Sequence, residues 1–154
     1  MTTTVHAISS AALAAGIYRA TTSLEMASAA LFVGIFLDID HIIDFLIFSG
    51  ERFSISRFRA WCYEGRWNKL ILMFHSYELF VLYSFLVYKY PNPILLGILC
   101  GMGLHLTLDQ LGNRHLIKAF TISKWFYFFT FRAWGGFHKD WLRTSNVQKP
   151  SGST

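Results

Sequence analysis

Long apolar runs separated by short polar connections dominate this chain. Four of these runs are candidate membrane-spanning helices: residues 4–19, 26–48, 68–89 and 93–113. A helix needs about 20 apolar residues to cross the hydrocarbon core of a bilayer, so the last three have a suitable length and the first is short. The pattern predicts an all-α fold, a polytopic membrane helical bundle of four spans.

A fifth stretch, residues 119–137, is rich in aromatic residues but is interrupted by Lys124 and Arg132. Aromatic side chains favour headgroup depth, and basic side chains reach anionic lipid. This pattern favours an interfacial C-terminal segment, with a fifth span as the alternative. We therefore predict one membrane-embedded helical domain, residues 1–145, and a disordered tail, residues 146–154.

The basic residues indicate the orientation of the bundle. If the four helices alternate in direction, twelve of the fourteen Lys and Arg residues fall on one side, and only Arg19 and Lys89 fall on the other. Short loops rich in Lys and Arg stay in the cytoplasm. The asymmetry predicts a multi-pass protein with residues 49–67 and both termini in the cytoplasm.

Composition supports the membrane interpretation. Hydrophobic residues make up 53% of the chain and charged residues 15%, whereas soluble domains have about 25% charged residues. The net charge of +5 then indicates membrane lipids as partners and argues against nucleic acid. The two cysteines, Cys62 and Cys100, provide no framework for a disulfide or a thiolate metal site.

Polar side chains that are costly in a membrane recur within the spans. They are His6, Asp38, Asp40, His41, Asp44, His75, Glu78, His105 and Asp109. A charged side chain at the centre of a span costs about 2.5–3.5 kcal/mol on insertion scales, so these residues are expected to face the bundle interior. The alternating helix directions also bring the histidines to one level. At 1.5 Å per residue, His41 lies about 10 Å from the cytoplasmic end of its span.

The spacing pairs histidines with carboxylates on shared helix faces. Four pairs are spaced i, i+3 or i, i+4: Asp38–His41, His41–Asp44, His75–Glu78 and His105–Asp109. Helices with inward imidazole and carboxylate groups can surround a divalent metal, and this ligand set suits Zn, with Mn or Fe as alternatives. Without a metal, a proton relay or a structural ion-pair network accounts for the same residues.

Individual roles follow from these positions. The predicted metal ligands are His6, Asp38, Asp40, His41, His75, His105 and Asp109. Asp40 is also a candidate for a supporting role, because its position is about 200° around a helix from Asp38. Glu78 and Asp44 are the predicted catalytic residues, which would transfer protons or orient ligands.

The order of four motifs carries a family likeness. The motifs are "VHAISS", "LDIDH", "FHSYE" and "LHLTLDQLGN", within residues 4–113. This order resembles small bacterial inner-membrane proteins grouped as membrane-bound metal-dependent hydrolases of the LexA-binding type. The matching positions are His6, Asp38, Asp40, His41, His75, Ser76, His105 and Asp109. Two positions depart from the pattern: Leu37 replaces a proline, and Leu70 stands where the family carries a further histidine.

The resemblance implies a metal-dependent hydrolase of the bacterial inner membrane. The family is also similar to the all-helical fold of zinc-dependent phospholipase C and nuclease, which implies phosphoester hydrolysis by analogy. A lipid or phosphoester at the cytoplasmic leaflet is the expected substrate. The alternatives are a non-enzymatic metal-binding or ion-pathway protein, which would require an oligomer, and a scaffold protein with a degenerate site.

Overall fold

The computed structural model describes residues 3–116, 121–123 and 125–144. The fold is mostly helical, which confirms the all-α expectation. The helices are α1 Thr3–Thr21, α2 Leu24–Phe36, α3 Ile39–Phe48, α4 Ile55–Tyr63, α5 Tyr77–Lys89, α6 Pro93–Leu116, α7 Phe129–Trp134 and α8 Lys139–Leu142. Two short strands, β1 Thr121–Ile122 and β2 Arg143–Thr144, pair antiparallel. The predicted disordered tail, residues 146–154, lies outside the described residues.

Two predicted helices are interrupted. The expectation of continuous helices over residues 26–48 and 68–89 is wrong, because α2 and α3 are separated at Leu37–Asp38 and residues 68–76 are not helical. In the second case, side chains from elsewhere in the chain take over the backbone hydrogen bonds, as described below. Within the described ranges, one stretch of α6, Pro93–Gly112, is long and apolar enough to cross a membrane. The four-span bundle stays a prediction.

Small residues allow α6 to pack closely against α2. A Cβ atom at Gly101 would lie 2.5 Å from the Ala30 carbonyl oxygen, and one at Gly97 would overlap the Met26 carbonyl. Helix α2 also approaches α1 closely, because a Cβ at Gly34 would overlap the Ser10 side chain. Close backbone approach through small residues is typical of helix pairs in membranes. It brings α1, α2 and α6 together as the scaffold of the site.

A second, aromatic core joins α3 and α4 to the residues around α7. Its buried members include Phe45, Trp61, Trp67, Leu70, Phe126 and Tyr127. Leu70, where the resembled family has a histidine, is 3% exposed and packs in this core. Its side chain therefore contributes to folding at a position where the family pattern has a ligand.

Residues 125–144, here called the C-terminal segment, run alongside residues 68–76, here called the His75 loop. Lys69 and His138 form an antiparallel bridge, and the Leu70 amide donates to the Phe137 carbonyl over 3.0 Å. The only helices of this segment, α7 and α8, have six and four residues. A fifth spanning helix over residues 119–137 is thus wrong for the part of it that the structure describes.

Candidate metal centre

Four side-chain atoms from three parts of the fold converge near the end of α2, where it packs against α6. Asp38 lies at the α2–α3 junction, His75 in the His75 loop, and His105 and Asp109 on α6. The atoms are Asp38 Oδ1, His75 Nε2, His105 Nε2 and Asp109 Oδ2, all within 4.8 Å of one another. Three of the four residues are buried. This buried Asp/His group could hold a metal ion.

The separations within the group are short and similar. His75 Nε2 lies 3.2 Å from both His105 Nε2 and Asp38 Oδ1, and 3.3 Å from Asp109 Oδ2. His105 Nε2 lies 3.3 Å from Asp38 Oδ1 and 3.6 Å from Asp109 Oδ2. The four atoms therefore surround a single small volume.

The other ring nitrogen of His105 fixes its tautomer. His105 Nδ1 lies 2.9 Å from the Gly34 carbonyl oxygen, which belongs to the last turn of α2, where carbonyls lack helical partners. A carbonyl only accepts, so Nδ1 donates and the Nε2 lone pair of the neutral ring faces the centre. The end of α2 thus orients a ligand carried by α6.

A carboxylate orients His75 in the same way. His75 Nδ1 donates to Asp40 Oδ2 over 3.0 Å, and the same oxygen accepts the Phe74 amide at 2.9 Å. The histidine is held as in carboxylate–histidine–metal triads. With both rings neutral, all four converging atoms are acceptors, and such an arrangement requires a cation or a proton between them.

His6 is not one of the four converging residues, but it contacts two of them. Its Nε2 donates to Asp109 Oδ1 over 3.0 Å, which leaves Oδ2 of that carboxylate for the centre. Its ring also stacks on His105, with centroids 3.9 Å apart and planes 16° from parallel. The predicted ligand His6 is thus placed to orient two members of the group.

His41 marks the accessible side of the centre. The side chains of Asp38 and His41 are 31% and 26% exposed, and His41 Nε2 lies 3.7 Å from Asp38 Oδ1. A second group of potential ligands brings together Asp40, His41 and His75. His75 belongs to both groups, so the two groups are adjacent. Since Asp38 and His41 are both partly exposed, His41 lies beside the four-atom group on its solvent-accessible side.

The two predicted catalytic carboxylates contact backbone amides. Asp44 Oδ2 accepts the amides of Ile71 and Leu72 at 2.6 and 3.0 Å. Glu78 accepts from the start of α7, including the Thr130 amide at 3.0 Å. Neither carboxylate belongs to the four converging atoms. Their catalytic role stays a prediction, and their observed contacts hold the His75 loop and α7.

Sequence reasoning missed Arg132, a buried basic residue beneath the His75 loop. Its guanidinium donates to the carbonyls of His75, Leu72 and Phe126 over 2.7–2.9 Å. Burial lowers the pKa of Arg132 to about 10, so the side chain stays charged at neutral pH. The available signal was a basic residue within a long aromatic run, and Arg132, like Lys124, was assigned to anionic lipid.

His6→Ala is expected to weaken metal binding by about 10–100-fold, the usual cost of losing a partner that orients a ligand. The reason is that Asp109 loses the hydrogen bond from His6 to its Oδ1, and His105 loses the ring that stacks on it. Competition between the protein and a chromophoric chelator measures the affinity. The exposed His138 provides the control: His138→Ala should bind like the wild type, and equal losses in both variants would contradict the assignment.

No family model, curated protein or solved structure matches this chain. The family resemblance therefore stays a prediction. The structure does bring residues of three of its motifs together, because "LDIDH", "FHSYE" and "LHLTLDQLGN" each supply at least one converging atom. "VHAISS" supplies His6, which supports Asp109 from behind.

Proposed function

We propose that this protein is a membrane-embedded, metal-dependent hydrolase that acts on a lipid phosphoester at the cytoplasmic leaflet. The observation that carries the proposal is the convergence of four acceptor atoms, three of them from buried residues and one from the partly exposed Asp38. Such a group suits a cation, and its partly exposed edge at Asp38 would let water and substrate approach.

The spacing of the ligands favours zinc. Zn–N and Zn–O bonds of about 2.0–2.2 Å place tetrahedral ligands about 3.3–3.6 Å apart. Three of the five separations given above lie within that range, and the other two are 3.2 Å, just below it. Two imidazoles and two carboxylates also suit Mn or Fe, but those ions commonly take more ligands than four. Zinc is therefore the ion to test first.

The positions of the residues around the centre suggest a separate role for each. A bound divalent ion would polarise a phosphoryl oxygen and lower the pKa of bound water toward 7. His75, His105 and Asp109 would form the buried side of the centre, while Asp38 holds its accessible edge. His41, beside Asp38, is the side chain that an entering substrate would meet. Asp40 and His6 would keep the two imidazoles and Asp109 in place.

The surface around the bundle supports the proposal of a lipid substrate. Large apolar side chains on the outer faces of the helices are exposed, among them Phe32 at 62%, Leu46 at 58%, Leu82 at 66% and Leu111 at 62%. Extended exposed apolar surface is unusual for a soluble protein and supports membrane embedding. The exposed Arg57 and Arg59 of α4 would attract anionic headgroups on the cytoplasmic side.

The test is metal content followed by turnover. Protein purified in mild detergent without chelator should contain about one zinc per chain, and it should release a phosphorylated headgroup or phosphate from lipid vesicles. Asp38→Asn should reduce turnover more than metal content, because asparagine keeps an oxygen acceptor beside the other three ligand atoms but removes the negative charge at the accessible edge. Protein without stoichiometric transition metal would overturn the proposal.

A second candidate function is metal binding without hydrolysis. It is favoured by the same four atoms, because four protein ligands complete a tetrahedron and structural zinc sites are closed in this way. Stoichiometric zinc without turnover of any phospholipid class would select this function. Activity that is lost on chelation and restored by zinc would exclude it.

A further inference from the structure

The His75 loop contains a backbone conformation that its own sequence does not favour. Leu72 has φ of 47°, in the left-handed region that bulky residues rarely adopt. Asp44 holds this point from one side by accepting the Leu72 and Ile71 amides. A loop under such strain keeps its shape only where surrounding groups enforce it.

Arg132 holds the same point from the other side. It is 0% exposed and donates to the Leu72 and His75 carbonyls at 2.9 Å each. A third bond, 2.7 Å long, reaches the carbonyl of Phe126, whose ring lies 5.5 Å from the guanidinium carbon. The planar fork of arginine serves several acceptors at once, which the single ammonium of lysine cannot do in the same geometry.

Glu78, in the first turn of α5, provides a further tie to the C-terminal segment. Its carboxylate accepts the Phe129 amide at 2.8 Å and both the amide and the hydroxyl of Thr130. One residue earlier, the Tyr77 amide donates to the Tyr127 carbonyl over 2.9 Å. The C-terminal segment is thus hydrogen-bonded to Leu70, which precedes His75 in the sequence, and to Tyr77 and Glu78, which follow it.

We propose that Arg132 is a positioning residue of the metal centre, through which the C-terminal segment sets the geometry of His75. Asp40 fixes the imidazole through Nδ1, while Arg132 fixes the backbone of the same residue through its carbonyl. Both restraints are needed to keep Nε2 within 3.2–3.3 Å of the other three ligand atoms. The inference rests on the proposed metal site and adds a segment that contributes no ligand to it.

The experiment titrates the purified full chain with Co²⁺, whose visible absorption reports the ligand number and geometry of a bound ion. Arg132→Met is expected to weaken Co²⁺ binding by about 10–100-fold, the usual range for loss of a supporting partner, and to change the absorption spectrum. Arg132→Lys keeps the charge and provides a second variant if the methionine variant does not fold. It should show a smaller loss of affinity with the same direction of spectral change.

Two controls separate positioning from general stability. Leu142→Ala removes a fully buried side chain of the same segment and keeps the Arg132 hydrogen bonds to Leu72 and His75, so it should lower the unfolding temperature but leave the spectrum of bound Co²⁺ unchanged. Lys139→Met removes a charge whose exposed bond to Asn68 lies seven residues before His75 in the same loop, so this variant should bind Co²⁺ like the wild type. If the wild type binds Co²⁺ and both Arg132 variants match its affinity and spectrum, the positioning role alone is overturned. A wild type that binds no Co²⁺ would overturn the metal site and this role together.

Discussion

His105→Ala is expected to abolish stoichiometric metal binding, with an affinity loss of more than about 100-fold. Losing a residue that only supports a ligand already costs about 10–100-fold, and His105 is itself one of the four converging residues. The change also removes the donor to the Gly34 carbonyl and the ring on which His6 stacks. Three contacts of the centre are therefore lost with one side chain.

The measurement is metal content after dialysis, together with zinc titration against a chelator. Hydrolysis, if present, should fall to the level of the chelated protein. His138→Ala is again the matched control, because it removes an exposed histidine at a distance in sequence from all four ligands. Wild-type zinc stoichiometry in His105→Ala would show that the four-atom group is not the site of the metal.

Gly101→Val is expected to destabilise the folded protein by about 3 kcal/mol or more, the upper end of the cost of overpacking. The added Cβ would lie 2.5 Å from the Ala30 carbonyl and 3.1 Å from the Gly34 amide nitrogen. These neighbours are backbone atoms, so they cannot move aside by changing rotamer, and α6 must separate from α2. For a chain of this size the unfolding temperature should fall by roughly 6–12 °C.

A thermal unfolding experiment in detergent measures this effect, and Gly16→Ala provides the control. A Cβ at Gly16 of α1 meets nothing within 4 Å, and alanine is the better helix former, so this variant should be as stable as the wild type or slightly more so. Gly101→Val should also weaken metal binding, because Gly34 and His105 belong to the helices that it pushes apart. Equal stability of the two variants would contradict the close α2–α6 packing.

The residues of the four-atom group could be predicted because ionisable side chains within long apolar runs are conspicuous in the sequence. Asp38, His75, His105 and Asp109 were all expected to converge, and they do. Spacing rules assume continuous helices, however, and that assumption fails at Leu37–Asp38. At this break the two aspartates make different contacts. Asp38 belongs to the four-atom group, whereas Asp40 accepts a hydrogen bond from His75 Nδ1.

The non-helical loop could not be predicted from local pattern. Residues 68–76 are apolar enough to continue a helix, and what prevents it lies far away in sequence. The Leu72 amide donates a hydrogen bond to Asp44, which lies 28 residues away in the sequence. The Leu72 carbonyl accepts one from Arg132, which lies 60 residues away. The sequence shows Asp44 as a charge within an apolar run and Arg132 as a basic residue among aromatics. It does not show that both hydrogen-bond the same loop residue, one at its amide and one at its carbonyl.

The shared contact at His75 has a thermodynamic consequence. If docking of the C-terminal segment raises metal affinity by a given factor, bound metal must stabilise the docked segment by the same factor, because linkage between two binding equilibria is reciprocal. A 10–100-fold effect corresponds to about 1.4–2.7 kcal/mol. Metal depletion would then loosen the docking of the segment that carries the exposed Trp125 and Trp134.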